Sequence, residues 1–167
     1  YIRDGLVWST WTKNVDRVCA EGNLEGFHMM CTVNALCLFS LTDFLDYCLE
    51  LKSKYGKDFP TFTLNILRFP SFQSPLILPT NVKIKQRKIL QTWLDRNMGN
   101  QLLHEMEINQ VRRTIEYLQS VERPHSESFE MPKLLNDFKH FYMQYDIRRN
   151  KNFEQTFPKI SEWYASL

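Results

Sequence analysis

The 167-residue sequence lacks the short motifs that announce a chemistry by themselves. It contains no phosphate-binding glycine loop, no GxGxxG, no HExxH and no GxSxG. No apolar run nears the roughly 18 residues that a membrane-spanning helix needs. Glycine is scarce, with five residues, and proline numbers seven, which excludes collagen-like and glycine-rich low-complexity chains. Charge of one sign is missing too. Lys plus Arg is 21 against 19 Asp plus Glu, net +2, so there is no electrostatic case for nucleic acid or a membrane surface.

Closely spaced cysteines are also absent. Cys19, Cys31, Cys37 and Cys48 are separated by 11, 5 and 10 residues. None of these gaps is the two- to four-residue clip of zinc or iron–sulfur ligands, so no metal-ligating set is expected. The thiols read as small buried hydrophobes. The opening Tyr1-Ile2-Arg3-Asp4-Gly5 has no initiator Met and no apolar leader. The expectation is that Tyr1 is not a natural start and that the setting is reducing and cytoplasmic.

What is present is enough apolar side chain, 43% with 14% aromatic, to bury a core. Residues 7–21 read as an amphipathic helix through Trp8, Trp11, Val15 and Val18, stopped by Gly22-Asn23. Phe27 to Val33 reads as a strand. Ser40 is placed to cap a helix whose apolar face is Leu41, Phe44, Leu45, Cys48 and Leu49, with Asp43 near its positive end. Thr61 to Leu67 is a second strand, rich in β-formers. Strand, helix, strand predicts a parallel pair with a right-handed crossover. Three prolines between Phe69 and Pro79 forbid a regular element, yet the segment is apolar and should pack.

From Thr80 the texture is helical. Segments 82–96, 102–120 and 132–148 carry apolar faces, Pro124-His125-Ser126 breaks the chain, and a short tail surrounds Ile160, Trp163 and Tyr164. The fold class is therefore α/β, with residues 1–79 as an α/β portion and 80–167 as a helical extension. The first portion holds 7 basic and 8 acidic groups, and the second 14 and 11. The run Lys83, Lys85, Arg87, Lys88 reads as a solvated helix face. Trp8 with Trp11, and Phe138 with Phe141, Tyr142 and Tyr145, read as core. His28, His104, His125 and His140 are dispersed and read as satisfied or surface residues.

The polar residues at strand ends are the candidates for a site. Alternation puts Phe27, Met29, Cys31 and Val33 on one face and His28, Met30, Thr32 and Asn34 on the other. Asn34 falls at the C-terminal rim, where α/β folds place their ligands. Asn65 reads as a buried-type polar position on the second strand, and Arg68 lies at its rim. For Asn34 and Asn65 the alternative is local backbone satisfaction, and for Arg68 a structural ion pair.

Several pieces together resemble the radical SAM superfamily, in its twitch-domain-containing branch. They are Tyr1-Ile2-Arg3-Asp4-Gly5 before a Trp-bearing helix, Thr32-Val33-Asn34, Phe69-Pro70, and Ser74-Pro75-Leu76-Ile77-Leu78-Pro79. The ending, Asp146-Ile147-Arg148-Arg149 with Asn152-Phe153 and Thr156-Phe157-Pro158, is similar to that branch's helical tail. The resemblance implies a partial (β/α)6 barrel that holds a 4Fe–4S cluster through CxxxCxxC. That cluster reductively cleaves S-adenosylmethionine, and the resulting radical abstracts hydrogen from a peptide or small-molecule substrate.

This sequence departs from that pattern in lacking CxxxCxxC and the first four strands. The resemblance thus implies the C-terminal part of a barrel, inactive alone, whose partner is the missing N-terminal part. It implies cofactor-binding roles for Thr32, Asn34, Asn65, Arg68 and Pro70, with no cluster ligand in this chain. Two parallel strands alone make a marginal sheet with an open edge, so self-association or poor solubility is expected of the isolated chain. Two other readings remain: a non-catalytic interaction module using that edge and the basic helix 82–96, and a small nucleotide-binding or transferase domain using Asn34 and Arg68.

Overall fold

The computed structural model describes residues 1–122 and 130–167. The predicted break at Pro124-His125-Ser126 lies outside them. The two strands are His28–Val33 (β1) and Thr61–Ile66 (β2), paired in parallel with His28 opposite Thr61 and Val33 opposite Ile66. Between them runs Leu41–Tyr55 (α2), and ahead of them Trp8–Glu21 (α1). The helices Thr80–Asn97 (α3), Glu105–Glu122 (α4), Met131–Arg149 (α5), Phe153–Thr156 (α6) and Ser161–Ser166 (α7) complete the described chain. The fold is mixed α/β and mostly helical. Among the described residues no helix is long and apolar enough to cross a membrane.

Alternation decides which sheet face is covered. Met29, Val33, Phe62 and Leu64 point into a buried cluster that also holds Leu41, Leu45 and Cys48 of α2, Leu90, Trp93 and Leu94 of α3, and Val111, Ile115 and Leu118 of α4. His28, Met30, Thr32 and Asn65 stand on the other face and are exposed. Parallel sheets are ordinarily covered on both faces, so this open face is unusual. The proline-rich segment packs as expected. It forms two 3-10 turns, Ser71–Gln73 and Pro75–Ile77, and buries Pro75, Ile77 and Leu78.

Several sequence expectations need correction. Ser40 makes no side-chain cap, because the chain enters α2 through a 3-10 turn, Cys37–Ser40, whose carbonyls already precede the first helical N–H groups. Lys83 is buried rather than solvated, and its Nζ donates to the Leu76 carbonyl at 3.1 Å. The buried stripe of α1 runs through Val15 and Cys19, which leaves Val18 outside it. Trp8, expected in the core, is 52% exposed and stacks on half-buried Trp11 at 4.9 Å. In α5, Phe138 and Tyr142 are buried as expected, whereas Phe141 is partly exposed. Gly22 ends α1 with its N–H on the Val18 carbonyl, a carbonyl that a Cβ there would meet at 2.4 Å.

One buried ion pair ties the layers together. Lys52 Nζ of α2 lies 3.1 Å from Glu107 Oε1 of α4, and both side chains are 0% exposed. Glu107 also accepts the N–H of Phe62 at 3.0 Å and the N–H of His104 at 2.8 Å. The second bond closes the first turn of α4 back on itself, as a glutamate at this position does in a capping box.

Candidate functional site

The two edges of the sheet differ. β2 donates the N–H of Thr61 to Phe27 and that of Leu67 to Val33, so odd-numbered residues of β2 face β1. Phe62, Leu64 and Ile66 therefore turn their backbone groups outward. There α4 covers them: Glu107 accepts from Phe62, and Arg113 Nη2 donates to the Leu64 carbonyl at 2.6 Å. On β1 the outward groups belong to His28, Met30 and Thr32. Cys37 Sγ caps the last, donating to the Thr32 carbonyl at 3.3 Å and accepting from Asn34 N–H at 2.9 Å. For His28 and Met30 no described residue bonds to the main chain on that edge.

Beside this open edge runs a groove of about 670 Å³. It is lined by Trp8, Trp11, Phe27, Phe141 and Tyr145, with Thr32 and Asn34 at the C-terminal end of β1. A second hollow of about 660 Å³ lies between α1 and α2, lined by Trp8, Cys31, Cys37, Phe44 and Tyr47. The hydroxyl of Tyr47 is buried with no hydrogen-bond partner among the described residues. Burial raises its pKa to about 12, since the phenolate is the form that desolvation penalises.

The structure divides the five expected binding residues. Thr32 and Asn34 line the groove at β1. Asn34 is also committed locally, its Oδ1 accepting the N–H groups of Leu36 and Cys37 at 2.9 Å each. Asn65 and Arg68 instead line a separate polar cleft between β2 and α4. Asn65 is exposed rather than buried, because no described residue covers it on its face of β2. Pro70 lines neither; its carbonyl accepts Gln73 N–H at 2.9 Å. Thr32 and Asn65 are register partners, so the two groups adjoin across the sheet.

The residues present do not make a cluster site. No group of three His, Cys, Asp or Glu side chains among the described residues is placed to hold a metal ion. Burial pushes the Cys31 thiol to about 11 and Cys37 to about 12, and it raises Cys48 as well. His28, His104 and His140 lie on separate parts of the fold, and His125 lies outside the described residues. His28 bridges the hydroxyls of Thr61 and Thr63 at 2.8 and 3.2 Å, and His104 Nε2 lies 2.8 Å from Asp58.

Sequence reasoning missed Glu107, Lys52 and Arg113. Lys52 carried a signal, since it continues the stripe Leu41, Leu45, Cys48 at helical spacing. No family model matches the chain, and neither a curated protein nor a solved structure matches it.

Proposed function

We propose that this chain is the C-terminal part of a radical SAM enzyme, the last two strands of a partial (β/α)6 barrel with a helical extension. In this reading it completes a pocket for S-adenosylmethionine and a peptide or small-molecule substrate. The contrast between the sheet edges carries the reading. The edge of β2 is covered by α4, where Glu107 takes the Phe62 N–H and Arg113 the Leu64 carbonyl, whereas at β1 the main-chain groups of His28 and Met30 have no described partner beside an aromatic-lined groove. A sheet built to end at β2 and to continue past β1 has these features. The unpartnered Tyr47 hydroxyl and the exposed Trp8 add support, since further chain under α1 would cover both.

On this reading the open sheet face, with His28, Met30, Thr32 and Asn65, is the interior of the barrel. Thr32 and Asn34 are the residues of this chain nearest S-adenosylmethionine, and Asn65, Arg68 and Pro70 lie at the rim towards substrate. The cluster ligands belong to the upstream part, because the cysteines here do not fit one.

The test begins with the coding DNA upstream of Tyr1. An open frame containing CxxxCxxC is expected, and the full-length protein, reconstituted anaerobically, should convert S-adenosylmethionine to 5′-deoxyadenosine. A start codon with a ribosome-binding signal directly before Tyr1 sinks the proposal. A second reading, an interaction module without catalysis, is favoured by one observation. Lys85 and Lys88 line a groove of about 530 Å³ between α2 and α3 together with half-exposed Ile89 and the Arg96–Asp46 ion pair. A stable dimer of the native chain would move the balance towards it.

A further inference from the structure

We propose that the cleft between the C-terminal end of β2 and α4 binds a single oxyanion, a carboxylate or phosphate group carried by a small ligand. The cleft has a volume of about 470 Å³ and lies outside the carboxyl end of a parallel strand, the usual ligand position in α/β folds. Three donor-bearing residues line it: Ile66, Arg68 and Arg113. Phe62 gives its outward N–H to Glu107 and Leu64 its outward carbonyl to Arg113, whereas the next outward residue, Ile66, has no such partner among the described residues. Its N–H therefore opens into the cleft that Ile66 lines.

Arg68 stands in the same cleft, exposed, and no described residue forms an ion pair or hydrogen bond with it. Arg113 is held in place through one nitrogen, Nη2, by the Leu64 carbonyl and by Gln110 at 2.7 Å. No described residue bonds to its Nε or Nη1 groups, which can therefore donate to a ligand. Two guanidinium groups and a main-chain N–H are the donor set that recognises planar or tetrahedral oxyanions. Glu116 lines the cleft too, which leaves one net positive charge. That limits the ligand to one anionic group and disfavours a polyphosphate.

This inference needs only β2, Arg68 just beyond it and α4, although it shares Asn65 and Arg68 with the radical SAM reading. It stands or falls separately from the radical SAM reading, which the upstream sequence decides.

The experiment is a titration of the 15N-labelled chain with inorganic phosphate and, separately, acetate, at ionic strength held constant with chloride. A saturable shift of the Ile66 amide is expected with at least one probe, and the tighter probe identifies the anion class. Arg68→Ala should weaken that binding about ten- to hundredfold, the range for losing a charged hydrogen bond. Because Arg68 touches no described partner, the other amide positions should stay unchanged. Glu116→Gln should tighten binding. Shifts that do not saturate, that chloride reproduces, or that survive Arg68→Ala unaltered overturn the proposal.

Discussion

Replacing Glu107 with alanine removes a carboxylate that three donors share and leaves two of them without a partner. Lys52 Nζ would keep only the Lys57 carbonyl as a partner, while the N–H groups of Phe62 and His104 would lose theirs. Both charged side chains are 0% exposed, so water cannot compensate. Breaking a buried pair from one side costs about 3–5 kcal/mol. Each orphaned N–H adds a penalty of about 1–3 kcal/mol, although these do not sum. A domain of this size is held by about 5–15 kcal/mol in total, so the variant should be severely destabilised.

Urea denaturation followed by tryptophan fluorescence and circular dichroism measures the loss. Glu107→Gln should lie between wild type and Glu107→Ala, since one amide oxygen still accepts an N–H. Combining Lys52→Met with Glu107→Gln should recover stability relative to Glu107→Gln alone, because the stranded charge is gone. A loss below about 1 kcal/mol for Glu107→Ala, the size of an exposed pair, would refute the reasoning.

Other perturbations have equally defined outcomes. Gly22→Ala places a Cβ 2.4 Å from the Val18 carbonyl and must shift the end of α1; a fall of about 1 kcal/mol or more is expected in the same denaturation assay. Burial holds Cys31 at about 11, Cys37 at about 12 and Tyr47 at about 12, above their ordinary values of 9.0, 9.0 and 10.0. With folded values raised, their contribution is complete below pH 9 and is lost as pH rises towards 12. The urea midpoint should therefore fall across that window. Met30→Lys puts a charge beside the open edge at a position already 75% exposed, and should reduce any self-association measured by sedimentation without lowering the urea midpoint.

Much of the framework was legible in the sequence because local chemistry and burial agree there. The strands Phe27–Val33 and Thr61–Leu67 carry alternating apolar residues, and the helix between them forces the parallel pairing seen at His28–Thr61. Cys48 and Phe138 sit where helical spacing put them. The misses share a cause. Lys52 and Lys83 are charged residues on buried stripes, and a reading based on polarity sends both to solvent. Asn65 erred the other way, because sequence does not say which sheet face goes uncovered. For the candidate site, alternation put Thr32 and Asn34 on one face, and both line the groove, whereas Arg113 drew no reading. Its role comes from α4 lying along β2, a contact between residues 49 positions apart that no local pattern encodes.

The unequal edges also govern how the chain can aggregate. A fibre of strands grows only when every added unit presents a fresh edge to the next. Here a second copy joining at β1 would present the flank occupied by Glu107 and Arg113, or else would spend its own β1 in the joint. In the second arrangement, head to head, no template is left on either side. Strand-on-strand association of this chain is thus self-terminating at two copies, and α4 acts as a chain stopper.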